Sequence, residues 1–294
     1  FPPRSYSDKP KDTAGDGRDP GKFTSSRRRR VDFNAAGALL INEIQALPSP
    51  GIDFVELRNG TGQAISLDGW FLTDDPFRPN KVPLTGVIGS GSLRTFFDQD
   101  SPGLSASGET LHLFHGATLV DSISWGMQVV GFSIGRVGPP NNWSLTTPTP
   151  DSANRRAGLA PIRDLKINEW LTDNQVRYGA EFVELFNPGD SPAPLGGLWF
   201  SDSPDNPLLH QLPAHSYVPP RGFVVLRATG DLTPSADELP FTLDSFHGWL
   251  LLTDARGATI DQVPINCLCV DTVEGRNPDG SDRIETFSDR KSVV

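Results

Sequence analysis

The stretch Leu40-Ile41-Asn42-Glu43 returns later in the chain as Lys166-Ile167-Asn168-Glu169, and this repetition decides the fold. Four further stretches return in the same order: 53–59 (DFVELRN) as 181–187 (EFVELFN), 67–74 (LDGWFLTD) as 195–202 (LGGLWFSD), 119–123 as 259–263, and 135–136 as 275–276. The offset grows from 126 residues between Ile41 and Ile167 to 140 between Gly135 and Gly275. Stepwise growth is expected when insertions fall in loops between fixed strands. The sequence therefore predicts duplication of one domain.

Each copy is predicted to be all-β. In residues 53–59, Val55 and Leu57 alternate with Phe54 and Glu56, the period of a strand with one buried face. Short apolar runs at 223–226 and 249–252 are typical of buried strands, and the chain contains 29 Gly and 27 Pro, which favours many turns. Seven to nine short strands in a copy of this size predict two tandem immunoglobulin-like β-sandwiches.

The predicted domain order places an extended arm ahead of the two modules. We assign 1–38 to a low-complexity basic arm, 39–154 to the first sandwich, 155–164 to a linker, 165–287 to the second sandwich and 288–294 to a tail. The arm has almost no apolar periodicity, so it cannot by itself offset the entropy of ordering.

Charge and composition exclude several classes of protein. The net charge is −10, which argues against a nucleic-acid partner. The arm holds nine Lys or Arg against five Asp, so an acidic body follows a basic arm. No run approaches the roughly 18 apolar residues of a membrane helix. Cys267 and Cys269 are the only cysteines; their spacing suits neither a relaxed disulfide nor a complete zinc site, so they are interpreted as small apolar strand residues.

The repeated motifs resemble the lamin tail domain. The resemblance rests on Ile-Asn-Glu at 41–43 and 167–169, on Phe-Val-Glu-Leu-x-Asn at 54–59 and 182–187, and on Gly-Arg-Asn-Pro-Asp-Gly at 275–280. The first copy departs at 135–140 but has a similar closing turn at 147–154; the second lacks that turn. The resemblance implies an immunoglobulin-like, non-catalytic module without cofactor, of the kind found in exported bacterial proteins.

Two patterns that elsewhere signal catalysis are weak here. Residues 131–135 read G-x-S-x-G, but a nucleophile elbow needs a following helix, which Pro139 and Pro140 block. The second copy has no serine at the equivalent position. Five histidines occur, and His112 and His115 would lie on opposite faces of a strand, so they cannot chelate a metal together. The others, His210, His215 and His247, have no acidic or histidine partners close in sequence. An enzyme would need a pocket that gathers histidines or repeated carboxylates.

The carboxylates at 43, 53, 56 and 74 recur at 169, 181, 184 and 202. Clustered oxygens suit Ca²⁺; the preferred interpretation is that they pin turns by accepting backbone N–H groups, and no metal site is assigned. Of the six tryptophans, Trp70 and Trp199 lie in a repeated strand and are expected in the cores. Trp143, after Pro139-Pro140-Asn141-Asn142, is the best candidate for an exposed contact.

The leading hypothesis is a non-catalytic structural or scaffolding subunit, outside the cytoplasm, that docks on a larger membrane-bound or cell-surface protein complex. The arm run Arg27, Arg28, Arg29 and Arg30, together with Trp143, supplies the candidate partner contacts. The alternative is a polymer- or carbohydrate-binding module of a secreted protein, which requires an exposed aromatic row.

Overall fold

The chain is built almost entirely of β-strands. A computed structural model describes residues 38–97, 100–138, 142–175, 180–243, 248–266 and 270–287. Within these ranges the structure contains 24 strands and the short 3₁₀ helix Ile162–Asp164. None of the helical structure in these ranges is long and apolar enough to cross a membrane. The all-β prediction is confirmed.

The first module is a sandwich of a six-stranded and a four-stranded sheet. The six-stranded sheet has the order β12-β11-β10-β1-β2-β7, the four-stranded sheet β5-β4-β8-β9, and β3 pairs with β6. The strands are β1 (Leu39–Gln45), β2 (Phe54–Asn59), β3 (Ile65–Ser66), β4 (Trp70–Thr73), β5 (Val82–Pro83), β6 (Val87–Ile88), β7 (Leu93–Phe97), β8 (Glu109–His115), β9 (Thr118–Trp125), β10 (Ser133–Arg136), β11 (Trp143–Thr147) and β12 (Arg155–Arg156).

The second module repeats this topology. Its strands are β13 (Lys166–Leu171), β14 (Glu181–Phe186), β15 (Ala193–Pro194), β16 (Trp199–Ser201), β17 (His210–Gln211), β18 (Tyr217–Val218), β19 (Phe223–Ala228), β20 (Glu238–Leu239), β21 (Gly248–Thr253), β22 (Thr259–Ile265), β23 (Val273–Arg276) and β24 (Ile284–Phe287). The sheet orders are β20-β19-β14-β13-β23-β24 and β17-β16-β21-β22, with β15 paired to β18. Among the described residues the six-stranded sheets differ at their edges: β20 pairs in parallel with β19 in the second module, and β12 pairs with β11 in the first.

Strand alternation builds each core. Val55 and Leu57 of β2 face inward with Ile41 of β1, and Leu113 of β8 meets them from the opposite sheet. Leu185 and its neighbours form the equivalent core of the second module. The alternation predicted for residues 54–57 is confirmed, although Phe54 and Glu56 on the other face are buried as well.

A β-bulge recurs in the first strand of each module. The register of β1 against β2 shifts between Ile41 and Glu43, and that of β13 against β14 shifts between Ile167 and Glu169. A bulge places one extra residue in one strand. Ile41 and Ile44, three residues apart, can therefore both enter the core, while the two polar residues between them lie on the outer face.

Residues 155–164, the predicted linker, are largely drawn into the two modules. Arg155 and Arg156 pair with β11. The side chain of Ala157 packs in the first core and that of Ala160 in the second. Residues 38–287, as far as they are described, belong to one compact unit. The predicted domain boundaries stay predictions.

Candidate functional site

The repeated glutamates of the first module are buried directly opposite each other. Glu43 on β1 is paired with Glu56 on β2, and both are fully buried on the outer face of the six-stranded sheet. The Ser133 hydroxyl donates to Glu43 at 2.6 Å, and the Asn42 side-chain amide donates to Glu56 at 2.7 Å. Buried carboxylates need such partners because unsatisfied charge is costly.

These glutamates fasten the closing turn, residues 147–154, onto the sheet. The Thr149 backbone N–H and hydroxyl donate to Glu43 at 3.2 and 2.9 Å. The Asp151 backbone N–H donates to Glu56 at 2.6 Å. The two side chains are therefore structural anchors for a loop that would otherwise leave its backbone N–H groups unpaired.

Burial raises the pKa of both carboxyls. The pKa of Glu56 rises to about 6, mainly because burial disfavours the charged form; the Asn42 hydrogen bond partly opposes this and the nearby Glu43 charge adds to it. The pKa of Glu43 is raised for the same reason, against the hydrogen bonds from Ser133, Thr149 and Thr146. Both carboxyls therefore hold a proton more readily than an exposed glutamate does.

The second module also holds a turn at this place, through Asn168. Glu169 and Glu184 are again paired and fully buried, and Asn168 donates to Glu184 at 3.0 Å. Here the turn comes from residues 277–281: Asp279 accepts from the Asn168 amide at 3.2 Å, and the Gly280 N–H donates to the Asn168 oxygen at 2.9 Å. The repeated Asn-Glu motif is thus a docking point for a turn in both copies.

A buried ion pair explains the second set of repeated residues. In the first module Asp121 accepts from the Ile41 N–H at 2.9 Å and pairs with Arg136 at 2.9 Å, while Arg136 Nε donates to the Ile41 carbonyl at 2.8 Å. The same three contacts recur at 2.8, 3.0 and 2.8 Å between Asp261, Arg276 and Ile167. The pair ties the edge strands β9 and β22 to the first strand of each six-stranded sheet.

Two more of the repeated carboxylates also accept backbone N–H groups. Asp53 accepts from Leu104 at 3.1 Å, and Glu181 accepts from Leu243 at 2.8 Å. Burial raises the pKa of both carboxyls. The interpretation that these side chains pin turns is confirmed for them and for Glu43 and Glu56.

The last of the repeated carboxylates in the first module, Asp74, is paired with a lysine. Asp74 forms a salt bridge to Lys81 at 2.6 Å. Within the described ranges, no group of three or more His, Cys, Asp or Glu is arranged to hold a metal ion. We therefore do not propose a calcium site, although the repeated carboxylates are residues of the type that binds Ca²⁺.

The serine of the G-x-S-x-G stretch is a strand residue. Ser133 lies in β10, fully buried, and its hydroxyl is shared between Glu43 and Thr146. A nucleophile must stand exposed at the end of a strand. This serine belongs to the glutamate anchor instead.

The described histidines lie apart from one another. His112 and His115 lie on opposite faces of β8, as predicted, and the His115 ring packs 4.7 Å from Trp70. Burial lowers the pKa of His112, His210 and His215. His247 lies outside the described residues, as do Cys267 and Cys269.

The expectation for the tryptophans of the repeated strand holds for one of the two. Trp70 is 2 % exposed in the first core. Trp199 is only half-buried, because it aligns with Phe71 rather than with Trp70 and faces outward. Leu198, one residue earlier, fills the equivalent core position. The core prediction for Trp199 is therefore wrong.

The modules exchange one large side chain each across their contact. Two segments form this module joint, residues 126–129 of the first module and residues 212–218 of the second. Met127 enters the second core, and Tyr217 enters the first. The Tyr217 N–H donates to the Met127 carbonyl at 2.9 Å, and its hydroxyl oxygen accepts a hydrogen bond from the Leu145 backbone N–H. Burial raises the pKa of Tyr217 to about 12.

Further hydrogen bonds and close packing hold the two segments of the joint together. The Gly126 N–H donates to the Ala214 carbonyl at 3.1 Å, and Gln128 Nε2 donates to the His215 carbonyl at 2.7 Å. A Cβ at Gly126 would stand 2.0 Å from the Ser216 hydroxyl oxygen. The two modules therefore meet as one packed interface.

Trp143 lies beside this joint. It is half-buried against the first core, with the Arg136 guanidinium 4.6 Å above its ring and the His215 ring 6.4 Å away. The ring is partly exposed, and a contact between Trp143 and a partner stays a prediction. Arg27, Arg28, Arg29 and Arg30 lie outside the described residues.

Sequence reasoning missed the joint because its residues do not repeat. Tyr217 occupies the position of Val87, which is 57 % exposed in the first module. The only available signal was Met127, the single methionine of the chain, next to Gly126.

The fold and its anchored turns define an immunoglobulin-like class of domain. Residues 160–266 match the family model of the Lamin Tail Domain, so the chain contains a lamin tail domain in its second module. The first module lies outside the matched range and repeats its strand order and anchors. No curated protein and no solved structure matched the chain.

Proposed function

We propose that this chain is a non-catalytic scaffolding subunit that docks on a larger protein complex outside the cytoplasm, at a membrane or cell surface. The observation that carries the proposal is the module joint: a reciprocal exchange of Met127 and Tyr217 gives two immunoglobulin-like domains a fixed spacing and orientation. Domains that meet through a small polar contact move relative to each other. A rigid pair suits a part that holds other subunits in place.

Equivalent loops of the two modules supply the proposed docking contacts. The loop between β4 and β5 exposes Phe77 by 93 %, and the loop between β16 and β17 exposes Leu208 and Leu209 by 38 % and 39 %. Single exposed apolar residues are ordinary; here they recur at the same place in two rigidly joined copies. Such a pair of contacts suits one extended partner surface.

The test is chemical cross-linking of the tagged full chain in intact source cells, followed by identification of cross-linked peptides. We expect cross-links from the β4–β5 and β16–β17 loops to a stoichiometric protein partner in the envelope fraction. A combined Phe77→Ser and Leu208→Ser variant should lose them, whereas Leu232→Ser, which removes a side chain 88 % exposed elsewhere, should not. A chain that stays monomeric and uncross-linked in those cells contradicts the proposal.

The carbohydrate-binding alternative rests on the outer face of the β17-β16-β21-β22 sheet. Trp249 is 39 % exposed there, and the half-buried Trp199 lies on a neighbouring strand. Trp199 is paired with Thr253, four residues along β21 from Trp249, which separates the rings by roughly 13 Å. Saturable binding of a soluble polysaccharide that Trp249→Ala abolishes would favour this function.

A further inference from the structure

His215 lies in the middle of the module joint, between residues that all contact the first module. The carbonyls of residues 214 and 215 accept hydrogen bonds across the joint at 3.1 and 2.7 Å, and the N–H of residue 217 donates one at 2.9 Å. The hydroxyl oxygen of residue 216 lies 2.0 Å from the place where a Cβ at Gly126 would stand. A change at His215 therefore acts on joint contacts that lie on both sides of it in the chain.

The backbone at His215 has a conformation that depends on its surroundings. Its φ is 55°, in the left-handed region that residues other than glycine rarely adopt. The backbone also lies close to the turn between β15 and β16, where a Cβ at Gly196 would stand 2.8 Å from the His215 nitrogen. Such a conformation persists where the surrounding structure holds it, so the position of this residue is tied to the closed joint.

The half-buried His215 imidazole has an aromatic neighbour and a cation near it. Its ring lies 6.4 Å from the Trp143 ring on β11, and the Arg136 guanidinium on β10 lies 4.6 Å over that same tryptophan. Arg136 is paired with Asp121 on β9, so this carboxylate already has its own cation. Burial lowers the pKa of His215, and among the described residues no carboxylate opposes that effect.

The other elements packed around His215 carry no charge. The joint segment 126–129, strand β11 and the turn at 195–198 contain no titratable side chain. The sequence that links β10 to β11, Val-Gly-Pro-Pro-Asn-Asn at 137–142, contains none either. On the histidine's own side of the joint the titratable neighbour is Tyr217, which stays neutral because burial raises its pKa to about 12.

We propose that His215 makes the module joint sensitive to acid, because the closed joint accommodates the neutral imidazole and protonation of that ring loosens the contact between the modules. A partly buried imidazolium loses hydration and here gains no opposite charge in exchange. The proposal goes beyond the scaffolding function, on which it rests only for its meaning: in a mildly acidic compartment the fixed spacing of the two modules would be relaxed.

The direction of the effect follows from the pKa of the imidazole. When the joint opens, the ring returns to water and to its ordinary pKa of 6.5, whereas the closed joint lowers that pKa. The open form therefore binds the proton more readily. The contribution of His215 to closing the joint is complete above pH 6.5 and is lost as the pH falls from there to the lowered pKa. Glu56 acts with the opposite sign, since burial favours its protonated form.

Amide hydrogen exchange in the ¹⁵N-labelled full chain tests the proposal at two backbone hydrogen bonds that cross the joint. The Gly126 N–H donates to the Ala214 carbonyl, and the Tyr217 N–H donates to the Met127 carbonyl. We expect the protection of both amides to fall below pH 6.5, by up to about tenfold for each pH unit, the limit for one coupled proton. The midpoint should coincide with that of the His215 Cε1 proton, and the amides of β2 and β14 should not lose protection.

Two variants assign the response to one histidine. His215→Asn removes the titration and retains a residue type that tolerates a left-handed backbone, so both joint amides should stay protected in acid. His112→Asn is the matched control: burial lowers the pKa of His112 as well, but the residue lies on β8, outside both joint segments, and the response should persist.

Two results would overturn the proposal: joint amides that keep their protection while the wild-type His215 titrates, or a full acid response in His215→Asn. If that variant does not fold, the coincidence of the two midpoints in the wild type decides, and separate midpoints would reject the proposal. The measurement needs no partner, so its failure leaves the cross-linking test of scaffolding unaffected.

Discussion

At the scale of single residues, the buried glutamates make the stability of the protein depend on pH in an uncommon direction. The pKa of Glu56 is about 6, above its ordinary value of 4.5. Between these values the folded state binds the proton more readily than the unfolded chain does. The stabilising contribution of the protonated group is therefore complete below pH 4.5 and is lost as the pH rises through 6.

We predict that Glu56→Gln removes this dependence. The difference in free energy of unfolding between wild type and variant should shift in favour of the variant by about 2 kcal/mol from pH 4.5 to 7, at 1.4 kcal/mol for each pKa unit. Urea denaturation at several pH values measures it. Asp205→Asn, in an exposed loop, is the control and should not change the slope. Parallel curves for wild type and Glu56→Gln would show that another group titrates.

The buried ion pairs allow a second residue-scale prediction. Arg276 and Asp261 have side chains only 5 % and 8 % exposed, so Arg276→Met leaves a buried carboxylate without its main partner. The free energy of unfolding should fall by about 3–5 kcal/mol. Arg221→Met, which breaks the exposed pair with Asp190, should have no measurable effect. Chemical denaturation of the two variants decides; equal effects would contradict the role given to burial.

At the scale of elements, the sequence predicted what repeats. The Asp of β9 and β22 and the Arg of β10 and β23 recur because each makes the same bonds to the first strand of its sheet, the strand that carries the repeated Asn-Glu motif. Strand alternation placed Val55 and Leu57 correctly. The residue type of Trp199 predicted a core position, but its place in the strand corresponds to Phe71, which faces outward.

The contacts of the loops that differ between the copies could not be predicted from the repeat. Among the described residues, Glu43 of the first module receives the turn at 147–154, and Asn168 of the second module receives the turn at 277–281. A docking point can be recognised from its own residues. The loop that reaches it depends on tertiary geometry that local sequence does not encode.

The joint supplies an element-scale prediction. At Gly126 an added Cβ would lie 2.0 Å from the Ser216 oxygen and 3.1 Å from Pro213. Gly126→Ala should therefore destabilise the protein by about 1–3 kcal/mol through overpacking. Gly62→Ala is the matched control, since nothing lies within 4 Å of its Cβ. Thermal denaturation measures the melting temperatures of the two variants. An unaltered melting temperature for Gly126→Ala would mean that the joint rearranges to accommodate the added methyl group.

At the scale of the whole molecule, the reciprocal exchange makes each module part of the other's core. Tyr217 belongs in sequence to the second module and packs in the first; Met127 does the opposite. A domain whose core contains its neighbour's side chain cannot lose that neighbour without leaving a cavity. The two sandwiches should therefore unfold together rather than as independent units, in contrast to domains joined by a flexible linker.

Met127→Ala tests this coupling, because the substitution lies in the first module and the cavity opens in the second. The free energy of unfolding should fall by about 2–5 kcal/mol, the usual cost of truncating a buried methionine. Amide exchange should accelerate in β16 and β21, which surround the second core, as well as next to residue 127. Val87→Ala, which truncates the exposed counterpart of Tyr217, should leave both modules unchanged. Faster exchange confined to the first module, or two separate unfolding transitions in the wild type, would mean that the modules are neighbours only. A single transition that Met127→Ala shifts as a whole would instead establish the pair as one mechanical body, which is the property that a scaffold with two fixed contacts requires.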